Sequence, residues 1–153
     1  MQVWKRFRRL GTPERRIVLA AVGVLTVAWF LLRVAGFRRS NALLAQSAPS
    51  PIDTRPTRKN PVPPQEIARL TQATARSLPF TSNCLDRSLA LCWLLHRRGI
   101  AARLRIGARK DGTRLEAHAW VESDGVPLNE ADPEHRHFVP FEGANASFEA
   151  GTP

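Results

Sequence analysis

Two cysteines and four histidines carry most of the nucleophilic and general-base chemistry open to this 153-residue chain, and their spacing separates their roles. A thiol attacks a carbonyl as the thiolate. A helix N-terminus favours that form through its partial positive charge, and its unpaired N–H groups can hold an oxyanion. Cys84 opens the helical pattern CLDRSLALCWLLHRRG and Cys92 sits in its middle. Eight positions span about 12 Å at 1.5 Å per residue, beyond disulfide reach, so the two thiols act separately. The candidate bases are His96, His118, His135 and His137. His96 lies twelve residues along the same helix, too far from Cys84 to serve it. His135 and His137 fall in a loop beyond the strands. His118 lies mid-strand between Ala117 and Ala119, where a base can be rigidly held.

A third group should orient that imidazole. Ser123-Asp124-Gly125 fits a three-residue bulged hairpin loop, which pairs Glu122 with Val126 and sets Glu130 opposite His118 on the same face. A two-residue Asp124-Gly125 loop would instead bring Ala131 opposite His118 and turn Glu130 away. Glycine in the third loop position favours the first register, and Asp132 is the fallback carboxylate. The plainer readings are that Cys92 is inert packing, that His118 is a core histidine satisfied by Glu130, and that Trp120 is a packing wall. Arg87 is expected to donate to Asp86, Glu116 or a loop acid. No cluster has metal-ligand spacing, so neither a metal nor a cofactor is expected.

The elements that must position these groups follow from periodicity. Pro64-Gln65-Glu66 places proline and acid where a helix start favours them, and Ile67, Leu70, Thr71, Thr74 and Leu78 recur at helical spacing up to Pro79. Ser82 or Asn83 can cap the Cys84 helix, which is apolar nearly all round its centre and stops at Gly99. From residue 101 the period becomes two. Leu104, Ile106 and Ala108 alternate with arginines, Lys110-Asp111-Gly112 turns, and Leu115, Ala117, Ala119 and Val121 alternate with Glu116, His118, Trp120 and Glu122. Val126 to Glu130 is expected to return as a third strand.

Composition bounds the rest. Hydrophobic residues make up 43% and charged residues 24%, the balance of a globular domain. The net charge of +10 is unevenly placed: residues 1–40 hold nine Lys/Arg and one Glu, and the remaining residues hold fourteen basic and twelve acidic side chains. With no basic stripe downstream, no nucleic-acid partner is expected. Ile17 to Leu32 runs without a charge, short of the roughly 20 residues of a membrane span, and Arg33 interrupts it. Three readings stay open for this segment: a packed or interfacial helix, a membrane anchor, and a signal-like segment whose RVAGFRR sequel is a poor cleavage site. Six of the twelve prolines fall in residues 49–64. The expected organisation is a basic, hydrophobic helical segment (1–48), a Pro-rich linker (49–64), a catalytic core (65–142) and a tail (143–153).

The run CLDRSLALCWLLHRRGIAARLRIGARK, followed by EAHAWVESDGVPLNE, resembles the transglutaminase-like core of lasso-peptide biosynthesis B proteins, over roughly residues 65–135. These are cysteine peptidases that remove the leader from a ribosomally made, post-translationally modified precursor before macrolactam closure. The resemblance implies an α/β (α+β), papain/transglutaminase-like fold with Cys84 as nucleophile and His118 as base. The family's third residue is commonly an aspartate twelve positions after the histidine, where this chain has the longer Glu130. Too few residues precede the core for a fused recognition domain, so the resemblance implies the peptidase half of a split system. Its expected partners are the precursor (leader) peptide, a separate recognition-element protein and an asparagine-synthetase-like, ATP-dependent cyclase. The reduced thiols imply a cytoplasmic location, with membrane contact through the N-terminal helix. A transglutaminase-type acyltransferase and a non-enzymatic, membrane-anchored binding module are the alternative functions.

Overall fold

A computed structural model describes residues 10–36, 39, 62–111, 113–129 and 138–140. Its elements are three helices, α1 (Thr12–Val34), α2 (Pro64–Ser77) and α3 (Cys84–His96), followed by the strands β1 (Arg103–Asp111), β2 (Arg114–Ser123), β3 (Val126–Pro127) and β4 (Val139–Pro140). The fold is of the α+β class. The linker residues 49–61, Glu130 to His137 and the 143–153 tail lie outside the described residues.

Each helix starts where local chemistry supplies what its first turn lacks. In α1 the Glu14 carboxylate accepts the Gly11 N–H at 2.8 Å. In α2 proline occupies the first turn, where no N–H partner is needed, and Glu66 accompanies it. The buried face of α2 includes Thr71 and Thr74, whose hydroxyls turn back onto the Ile67 and Leu70 carbonyls at 2.8 Å, so neither is left without a partner. The α3 centre is buried all round, with Leu89, Leu91, Leu94 and Leu95 fully enclosed. Gly99, at φ +71, accepts the left-handed backbone that ends it.

The N-terminal helix is part of this core. Ile17, Ala21, Leu25 and Ala28 are at most 2% exposed and pack with α2 and α3. By length and composition alone α1 could also cross a membrane.

The strands form one antiparallel sheet in the order β3-β2-β1-β4. The β1–β2 ladder runs from Arg103↔Glu122 to Asp111↔Arg114. Ala102, Leu104, Ala119 and Val121 turn their side chains into the helical core, and Ile106 packs beside them. The period-two expectation holds there, but not along all of β2. Leu115 is 75% exposed and Ala117 is exposed, because the hairpin tip extends past the helices that would cover it. The first turn also sits later than expected: β1 continues through Asp111, and Gly112-Thr113 joins it to β2.

The second hairpin corrects the register expected from sequence. Ser123 pairs with Val126 and Glu122 with Pro127, so the loop is the two-residue Asp124-Gly125. Both loop residues have positive φ, 51° and 75°. Aspartate tolerates that conformation, so Asp-Gly completes a tight primed turn without a third loop residue. The third strand is also shorter than expected. After Pro127 the Leu128 N–H still reaches the Val121 carbonyl at 2.9 Å, and then a side chain replaces the ladder.

Candidate active site

Cys84 occupies the first position of α3 and is half-buried. Asn83 caps the helix through a reciprocal pair. Its Oδ1 accepts the Asp86 N–H at 2.8 Å, and Asp86 Oδ2 accepts the Asn83 N–H at 2.9 Å. The cap takes up the third N–H of the helix. Helix geometry leaves those of Cys84 and Leu85 without intrahelical acceptors, so they are the natural donors to an oxyanion formed at the sulfur.

The segment leading into Cys84 is held from two sides. Asp86 is fully buried, and its Oδ2 lies 3.6 Å from the Arg33 guanidinium on α1. Arg33 also donates to the Trp29 carbonyl at 3.0 Å and covers the Trp29 ring, whose centroid is 4.9 Å from that of Phe80. On the other side Arg87 donates to the carbonyl and hydroxyl of Ser82, at 3.0 and 3.1 Å. The acid partner expected for Arg87 is therefore replaced by Ser82, while Asp86 takes Arg33. Arg33, which reads in the sequence as an interruption of an apolar run, is an anchor at the mouth of the Cys84 helix.

Cys92 is the inert thiol expected. It is completely buried, and that burial pushes its pKa up to about 12. His96, the distant histidine of the same helix, sits beside it and meets the Ala102 carbonyl at 2.7 Å.

His118 lies mid-strand on the sheet face turned away from the helices, and is half-buried. Its ring stacks beside Trp120 with 6.2 Å between centroids and lies 5.2 Å from Phe138. Trp120, 2% exposed, donates its indole N–H to Glu122 at 2.8 Å, and Arg105 grips the other oxygen of that carboxylate at 2.9 Å. The packing wall expected of Trp120 is thus present and is itself fixed in place. Gly107 pairs with His118 across the ladder. A Cβ there would come within 3.0 Å of the Val139 carbonyl and 3.1 Å of both Phe138 and Trp120. Only glycine lets Phe138 descend beside the imidazole. Neither Gly107 nor this role of Phe138 was anticipated from sequence.

The helix carrying Cys84 and the strand carrying His118 are joined by a hydrogen-bond chain. Ser88, fully buried and one turn after Cys84, donates to the Ala119 carbonyl at 2.9 Å and accepts from Asn129 Nδ2 at 2.9 Å. Asn129 Oδ1 in turn accepts the Val121 N–H at 2.7 Å. These contacts set the relative height of the two elements. Further along the helix, the Cys92 thiol lies 3.8 Å from the Ala102 carbonyl, just before β1. The sequence signal for this strut was a serine four positions after Cys84, at the start of the apolar centre of the helix. Asn129 had no recognisable signal.

Glu130, Asp132, His135 and His137 lie outside the described residues. The register argument for Glu130 does not survive the observed hairpin. Continued as a ladder, that pairing would set Ala131 opposite His118 and Glu130 opposite Ala119. What remains for Glu130 is its place in the resembled motif, twelve residues after His118.

A thiol at the capped N-terminus of a helix that is hydrogen-bonded to a histidine-bearing strand is an arrangement suited to acyl transfer through a thioester. Among known protein families, the model described as the transglutaminase-like superfamily matches residues 22–142, a span that contains Cys84, His118 and most of α1. No curated protein and no solved structure matches the chain.

Proposed function

The chain belongs to the transglutaminase-like superfamily, and on that premise we propose that it is a cysteine peptidase that removes the leader from a lasso-peptide precursor. The superfamily itself points to the coarser class, cysteine-dependent peptidase or acyltransferase. The observation that carries the proposal is Cys84 at the capped start of a buried helix, which Ser88 ties to the strand that bears His118. The narrower assignment rests on the strings CLDRSLAL and HAWVE.

In this reading the Cys84 thiolate attacks the scissile carbonyl at the end of the leader, and the Cys84 and Leu85 N–H groups hold the oxyanion. His118 protonates the departing amine of the core peptide. It then takes a proton from water as that water attacks the thioester, which releases the leader carboxylate and restores the thiol. Glu130 orients the imidazole. A separate recognition protein presents the leader, and an ATP-dependent cyclase takes the liberated amine, on the cytoplasmic side where thiols stay reduced.

The test is mass spectrometry of precursor peptide incubated with the chain and its recognition partner, beside Cys84→Ala, His118→Ala and Cys92→Ala. Release of a leader-sized fragment by the wild type and Cys92→Ala alone is the expected result. Cleavage that persists in Cys84→Ala refutes the mechanism. A cross-linked product in place of a shortened one assigns the site to transfer onto an amine.

A further inference from the structure

Helix α1 is apolar on two sides, and the domain uses only one of them. Ile17, Ala21, Leu25 and Ala28 face α2 and α3, whereas Leu19, Phe30 and Val34 are 64%, 57% and 69% exposed, with Val22 and Val27 between them. At 100° per residue these exposed positions form one stripe opposite the buried one. The single hydroxyl on that stripe, Thr26, turns back onto the Val22 carbonyl at 2.8 Å, so it needs no water. No charge falls between Arg16 and Arg33.

The helix carries Arg15, Arg16 and Arg33 against Glu14, and the other basic residues of the first 40 flank it in sequence. Arg15 and Arg16 are exposed at its start and Arg39 lies beyond its end, within a 40-residue stretch that holds nine of the basic residues against one acid. An apolar stripe bounded by cations complements an anionic lipid surface. Crossing the bilayer is a different matter. It would draw Ile17, Ala21, Leu25 and Ala28 out of the core and break the Arg33–Asp86 pair beside Cys84.

We propose that α1 lies in the plane of an anionic membrane surface, its outer stripe seated at the headgroup boundary and its inner face kept in the domain core. The helix is then neither a transmembrane anchor nor a free tail but the membrane-facing wall of the domain, and it holds the Cys84 region close to the bilayer.

The test is co-sedimentation of the purified full chain with phosphatidylcholine vesicles, with and without about 30% phosphatidylglycerol, at low salt and at about 0.5 M salt, where screening shortens to a few ångström. A Leu19→Glu/Phe30→Glu variant changes only exposed positions, and its thermal unfolding is compared with the wild type. Expected are strong binding to the anionic vesicles, weak binding without the anionic lipid, loss at high salt, and a drop of roughly tenfold or more in the variant with unchanged unfolding. Unchanged binding by the variant overturns the proposal, as does the absence of wild-type binding. Resistance of bound protein to alkaline extraction would show a spanning helix instead. A dimer that the variant converts to monomer, without vesicle binding, would assign the stripe to a second copy of the chain.

Discussion

Replacing Ser88 by alanine removes one oxygen and breaks a side-chain chain linking the Cys84 helix to the His118 strand. Two bonds of 2.9 Å are lost: the donation to the Ala119 carbonyl and the acceptance from Asn129. A neutral hydrogen bond contributes about 1 kcal/mol net, and a buried group left without its partner costs about 1–3 kcal/mol. Ser88 is fully buried, so water cannot replace its hydroxyl, whereas Asn129 is only part-buried and can recover a water. The sum is a loss of about 2 kcal/mol, or about 5–10 °C in melting temperature. Urea unfolding followed by the fluorescence of the four tryptophans measures it. Because Cys84 is one turn from the lost bond, the helix can shift against β2, and kcat/KM for leader cleavage should fall roughly ten- to a hundredfold. Asn129→Ala should cost a similar amount, and the double variant should fall short of additivity by about 1 kcal/mol, the value of the shared bond. If Ser88→Ala unfolds within about 0.5 kcal/mol of the wild type and cleaves at full rate, the strut does not set the site.

Three further outcomes follow from other contacts. Arg33→Met leaves the buried Asp86 carboxylate with only the Asn83 N–H. Because Arg33 is 44% exposed and solvent screens the pair, the expected loss is about 2 kcal/mol, between that of a surface and a buried pair. Asp86→Asn in the same chain should recover part of it in denaturant titrations. Gly107→Ala should cost about 1–3 kcal/mol by overpacking, and should lower cleavage by pushing Phe138 off His118, which activity and melting temperature together would show. Cys92 ionises near 9 when unfolded and near 12 when folded. The folded state therefore holds the proton over that window, and this contribution to stability is intact below about pH 9 and is lost as pH rises toward 12. Cys92→Ala should flatten the fall in stability above pH 9. In native buffer at pH 8 an alkylating reagent should label Cys84 and spare Cys92 until the chain unfolds.

Much of the framework of the candidate site was legible because it rests on short-range chemistry. The capped start at Asn83, the placement of Cys84 at the first position of α3, the burial of Cys92 and the stop at Gly99 all follow from neighbours within one or two helical turns. His118 could be placed mid-strand because a period of two is equally local. The β2–β3 register was also a local matter but was misjudged, since both candidate loops end in the same glycine and the choice turned on whether Asp124 would take a positive φ.

The sequence by itself determined the three helices and the two long strands, which cysteine stands at a helix start, and that the excess positive charge belongs to the first 40 residues. Only the tertiary structure decided that α1 lends one face to the core, that Arg33 reaches Asp86, that Gly107 clears room for Phe138, and that Ser88 and Asn129 tie the helix to the strand. The pairs Ser88–Ala119, Gly107–Phe138, Ser88–Asn129 and Arg33–Asp86 lie from 31 to 53 residues apart. No periodicity or cap encodes such a pairing, because its energy is gained only when folding has brought both groups out of water to the same place.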